Sequence, residues 1–184
     1  MTSPRPSRHV PPRGAFETFR HYIRDLVFGA IDGIITTFAV VAGVTGGALS
    51  TKAVLIVGIA NLIADGLSMG VGNYLGIRSE ESARRRDDLP EQEAEPVRHG
   101  LATFSAFVVA GSVPLLPYLI PGLAEDQFVM ATVLTLVALF GVGAARSVVT
   151  VEGWLVSGLE MLGLGVLVAA VSYGCGALVA SMLQ

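Results

Sequence analysis

The sequence predicts an all-α membrane protein with five transmembrane helices, its N-terminus in the cytosol and its C-terminus outside. Three observations carry that expectation. Only 15% of the 184 residues are charged and 52% are hydrophobic, with a mean hydropathy of +0.65; an ordinary soluble domain carries about 25% charged residues. The charges are also uneven. Beyond Leu101 the only basic residue is Arg146, and the only acids are Glu125, Asp126, Glu152 and Glu160. So few charges cannot keep that length of chain in water, which argues against a soluble enzyme or a nucleic-acid binder. Finally, five apolar runs approach or exceed the ~20 residues that a membrane helix requires.

The first run, residues 26–50, contains a single charge, Asp32. The second, 53–77, again contains one, Asp65. The third, 101–123, has none, but Pro114 and Pro117 predict a kink or a broken helix there. The fourth, 128–145, is uncharged and short but sufficient. The fifth, 155–183, has Glu160 near its start and Trp154 just ahead of it as an interfacial anchor. Together they define a membrane domain over 26–184 and leave no room for a second globular domain. An odd number of spans puts the termini on opposite sides. With the N-terminus inside, eleven of the twelve Lys and Arg face the cytosol and only Lys52 lies outside.

Two regions outside the spans have character. Residues 1–25 form a cytosolic tail. Its first fifteen positions are rich in Pro and Arg, show no secretory signal peptide and are expected to be disordered. Phe16, Phe19 and Ile23 then recur at helical spacing. They predict a short interfacial helix or, equally, a continuation of the first span below the membrane. The cytosolic loop 78–100 places seven acids and five arginines within residues 78–99. Its first half extends the second span as a helix until Pro90. A solvated, partly self-neutralised loop is favoured over a collector of cations.

The charges inside the spans point to function. An Asp at the centre of a membrane helix costs about 2.5–3.5 kcal/mol on insertion scales and usually faces a protein interior or a wet cavity. Asp32 lies about 10 Å into the first span. In the second span Asn61, Asp65 and Met69 recur every four residues and so share one helical stripe, flanked by Ser68 and Gly72. An amide, a carboxylate and a soft thioether in line are candidate stepping ligands for a divalent transition metal. Taken singly, Met69 reads as core filler and Asn61 as an interhelical hydrogen bonder. Glu160 is either the mouth of a cation path or the partner of Arg146. Gly66 with Gly70, and Gly72 with Gly76, are small-residue pairs suited to close helix contact. The single Cys175 is read as packing. His9, His21 and His99 fall outside the spans, too scattered in sequence to suggest a ligand set.

The residues also carry a resemblance. Arg24-Asp25 through Asp32-Gly33, with Phe38-Ala39 and Ala42-Gly43, resembles the first helix of the vacuolar iron transporter family. Asp65-Gly66-Leu67-Ser68-Met69-Gly70, with Tyr74-Leu75 and Ser79-Glu80, resembles its second helix. Ser157-Gly158-Leu159-Glu160, with Gly165 and Ala169-Ala170, resembles its last. The resemblance covers nearly all of residues 20–183. It implies a homodimer that moves Fe²⁺, and often Mn²⁺, out of the cytosol against protons, along a path between protomers lined by Asp32 and Met69. It implies no resident cofactor, the metal being substrate. Two departures stand out. Asn61 occupies the position where the family often has a Glu, and the resemblance leaves open whether Asn61 or Asp65 replaces it. The long metal-binding domain that plant-type members carry between spans two and three is absent or vestigial, because only 23 residues separate those spans.

Competing classes are weaker. An intramembrane aspartyl protease would need a GxGD-type setting that neither Ile31-Asp32-Gly33 nor Ala64-Asp65-Gly66 supplies, so no enzyme is expected. A non-transporting membrane-organising or partner protein of the same fold is the alternative. The expected partners are divalent metal ions, protons, the lipid bilayer and a second copy of the chain, with no nucleic acid. The compact loop favours the plasma membrane of a prokaryote.

Overall fold

A computed structural model describes residues 12–120, 122, 126–148 and 151–183. Five α-helices and one 3₁₀ helix make up the regular structure of those residues. They are α1 (Ala15–Gly46), α2 (Thr51–Arg86), α3 (Pro96–Gly111), the 3₁₀ segment Val113–Leu119, α4 (Gln127–Arg146) and α5 (Trp154–Met182). Four of the helices are each long and apolar enough to cross a membrane. α3 and the 3₁₀ segment meet the same measure only as a pair, bent by 42°. Pro114 and Pro117 lie in that segment, where missing amide donors and fixed φ angles preclude a regular α-helix.

Residues 16–25 are not a separate interfacial helix. With no Pro or Gly between Ala15 and Phe28 to interrupt it, α1 runs unbroken from Ala15 to Gly46, and Phe16, Phe19 and Ile23 belong to its lower turns. At the other end of the hairpin, Ser50 caps α2 by accepting from the Ala53 amide at 3.3 Å. The second helix continues past the membrane stretch to Arg86, and its last turn carries Arg84, Arg85 and Arg86.

α1 is the hub and touches α2, α3, α4 and α5. Its contact with α3 is set by glycine. An added Cβ would collide with the Thr103 carbonyl at Gly29 and with the Phe107 carbonyl at Gly33. Toward the opposite end, Gly43 and Gly46 give α5 the same closeness at Gly176 and Tyr173. Phe38, Val41, Leu62 and Phe107 pack at the centre with Leu115 and Tyr118 of the 3₁₀ segment. Ile34, Leu139 and Met161 form a second cluster between α1, α4 and α5.

The outer surface is apolar. On α4, Ala131, Thr135 and Leu139 point inward and are fully buried, while Val129, Val133 and Val137 are 54–65% exposed. In water that stripe would be a liability; against lipid tails it is the ordinary exterior of a membrane helix. Only 6% of the most apolar stretch of α5 is buried against the rest of the chain.

Candidate metal path along the first two helices

Two of the three acids within the apolar runs, Asp32 and Asp65, lie on α1 and α2. The helices are joined by a short connection and run antiparallel, so residues that ascend α1 meet residues that descend α2. Near one end Asn73 donates to Asp25 Oδ1 at 2.8 Å. Counted from that bond, seven residues up α1 and eight down α2 put Asp32 and Asp65 at about the same level of the two helices. Both are half-buried. Asn61 follows one turn further along α2, also half-buried, and its Nδ2 has no hydrogen-bond partner among the described residues. A buried amide without a partner is costly.

Of the five residues singled out from sequence, Asp32 and Asp65 stand at about the same level of α1 and α2, and Asn61 lies one turn from Asp65 along α2. Met69 stands on the same α2 stripe, half-buried, with its side chain packed against the Phe38–Phe107 cluster. Glu160 is elsewhere. It accepts from Arg146 Nη2 at 2.8 Å, and Arg146 also reaches Glu152 at 2.8 Å. Arg146 and Asp32 also line one hollow of ≈ 430 Å³ together with Val27, Phe28 and Ile31. Asp32 thus lies between a second carboxylate and a hollow with a cationic wall. Two carboxylates beside an amide form an all-oxygen set when the amide presents its carbonyl, suited to a divalent cation and able to exchange it for protons.

The glycine pairs of α2 divide. Gly66 and Gly70 face α3, where a Cβ would press on Phe104, Phe107 and the Gly100 carbonyl. Gly72 and Gly76 meet nothing within 4 Å, and Ser68 beside them is exposed. An unoccupied face of small residues therefore adjoins the carboxylate seam.

Several residues of the polar framework were not singled out from sequence. Asp25 is 2% exposed and receives His99 Nδ1 at 2.5 Å as well as Asn73. Asn73 also donates to Thr103 Oγ1 at 2.8 Å, which ties α1, α2 and α3 together. Asn73 was legible, since it continues the four-residue spacing of Asn61, Asp65 and Met69. The histidines are a correction. His21 and His99 have ring centroids 5.0 Å apart, because the downward extension of α1 and the start of α3 stand side by side. His9 lies outside the described residues. The loop likewise is folded back on α2 rather than merely solvated. Glu81 accepts from the Gln92 and Glu93 amides at 3.0 and 2.9 Å, and Arg84 donates twice to the Pro90 carbonyl.

Comparison with known proteins identifies the family. The profile of the VIT family matches residues 23–92 and 84–177. The chain is 28% identical to vacuolar iron transporter 1 of Arabidopsis thaliana, over 82% of this chain and 83% of that protein. It is 27% identical to the vacuolar iron transporter of Toxoplasma gondii, over 88% of this chain and 75% of that protein. Vacuolar iron transporter 1 of Oryza sativa subsp. japonica is 26% identical, over 91% and 89%. The Toxoplasma alignment spans 227 positions, more than the 184 residues of this chain, so that relative carries residues this chain lacks.

Proposed function

The chain belongs to the VIT family, and from that premise we propose that it is a homodimeric transporter, not an enzyme, that moves a divalent first-row metal out of the cytosol in exchange for protons. Fe²⁺ is the first candidate, because the relatives are named for iron; Mn²⁺ is the second. The observation that carries the reading is that α1 and α2, tied by the Asn73–Asp25 bond, each place one half-buried carboxylate, Asp32 and Asp65, at about the same level within the spans. Two half-buried carboxylates at one level repel each other, and a divalent cation or protons relieve that repulsion. Metal and proton therefore compete for one site, which is the elementary requirement for exchange. Ser68, Gly72 and Gly76 beside the seam support a second copy docked there, so that four carboxylates would surround the path. Asp65 then serves in place of the carboxylate that the family often has at position 61, with Asn61 as a neutral neighbour. The short loop supports a prokaryotic plasma membrane.

Metal influx into reconstituted vesicles tests this, using a metal-sensitive dye inside and a set pH gradient. The wild type should move Fe²⁺ inward and alkalise the lumen in step with the flux, because protons leave as metal enters. Asp32→Asn should abolish transport while the protein still elutes as a folded dimer. Normal flux through a folded Asp32→Asn protein overturns the proposal, as does flux that ignores the pH gradient for the exchange element.

A further inference from the structure

His21 of α1, Glu93 of the loop and His99 of α3 converge outside the membrane seam, at the end of the bundle rich in arginine. Each offers one ligand atom, and these atoms all lie within 4.8 Å of one another. Glu93 Oε2 is 3.0 Å from His99 Nε2 and 3.4 Å from His21 Nε2. Ligands held about 2.0–2.2 Å from a metal stand about 3.0–3.5 Å apart along the edge of its coordination shell. We propose that these three residues bind a first-row divalent metal ion.

The surroundings fit that chemistry. Two imidazoles and one carboxylate with open positions are the donor set of mononuclear Fe²⁺ sites, and imidazole disfavours Mg²⁺ and Ca²⁺. Asp25 lies 2.5 Å from Nδ1 of His99, which leaves Nε2 as the ring atom turned to the cluster and available as the ligand. Asn73 holds Asp25 in turn. That outer support is buried, since Asp25 is 2% and His99 6% exposed. Glu81 fixes the backbone at Gln92 and Glu93 and so positions the third ligand. Asp25, Glu80, Glu81 and Glu93 line the same hollow of ≈ 300 Å³ with Arg24, and Arg84 stands 4.0 Å from Glu81, so acids outnumber bases around the cluster. His21 and Asp32 lie on one face of α1, about 16 Å apart along its axis. Metal binding itself does not rest on the transport reading; a role in loading the seam does.

Co²⁺ titration of the full chain in detergent, free of any affinity tag, separates the two. It is best run on the Asp32→Asn/Asp65→Asn background, where the seam contributes no carboxylate. A saturable Co²⁺ absorption spectrum of nitrogen-ligated type, displaced by Fe²⁺ or Zn²⁺, is expected there. His21→Ala and Glu93→Gln, at partly exposed positions that leave the fold intact, should each weaken binding by about 10–100-fold or more, and Asp25→Asn by about 10–100-fold. Absence of such a spectrum overturns the proposal. So does unchanged affinity in His21→Ala and Glu93→Gln proteins of wild-type helicity, which would leave His99 as a structural bridge between Asp25 and Glu93.

Discussion

Asp25 is the most enclosed carboxylate of the described residues, and its environment explains how a charge survives there. It is 2% exposed, yet one oxygen receives Asn73 and the other His99, with Arg24 Nη2 at 3.6 Å. Removing one donor from a buried charged group costs about 1–3 kcal/mol or more. Asn73→Ala is therefore expected to lower the melting temperature in detergent by several degrees, read from the fluorescence of the single Trp154. Asp32 differs. It is half-buried and shares its level with a like charge on α2, so its function and its stability oppose each other. Asp32→Asn should leave the melting temperature equal or higher while it removes transport; a lower one would mark Asp32 as a structural group.

At the scale of the helices, the close contacts separate glycines that position α1 from those that leave a face open. Gly33→Ala forces a Cβ into the backbone of Phe107, which has no room to retreat, and overpacking of this kind costs about 1–3 kcal/mol. Gly72→Ala meets nothing within the chain and should leave the melting temperature of dissociated protomers unchanged or raised. The five spans were legible in sequence because apolar run length is a direct measure of membrane thickness, and the third span announced its break through Pro114 and Pro117. The α1–α2 seam was half legible. The stripe Asn61, Asp65, Met69 follows from helical periodicity, but which partner faces it does not. The His21–Glu93–His99 cluster was not legible, because nothing local in the sequence signals that α1 extends downward to meet a loop folded back by Glu81 and Arg84. Met69 shows the reverse limit: a stripe fixes a helix face, but the side chain on it can still turn into the core.

At the scale of the whole molecule, the chain alone leaves two kinds of apolar surface. The Val129, Val133 and Val137 stripe of α4 is bulky and lipid-like. The Ser68, Gly72 and Gly76 face of α2 is small and invites another helix. Cysteine cross-linking distinguishes them. In a Cys175→Ala background, Gly72→Cys should give an oxidised dimer in the membrane, and Val133→Cys should not. Equal cross-linking at both positions, or none at Gly72→Cys, would place the interface elsewhere.

The placement of α1 at the hub also governs how the protein is made. α1 is synthesised before the other helices, yet one of its glycine-lined grooves, at Gly43 and Gly46, is closed only by α5, which follows α2, α3 and α4 from the ribosome. Until then that groove faces lipid. Helices that insert first and pack afterwards tolerate such a delay, because the bilayer already satisfies each of them alone. Assembly is therefore completed only after translation of α5, and a ribosome that stalls before Trp154 leaves an inserted intermediate with its central helix still uncovered.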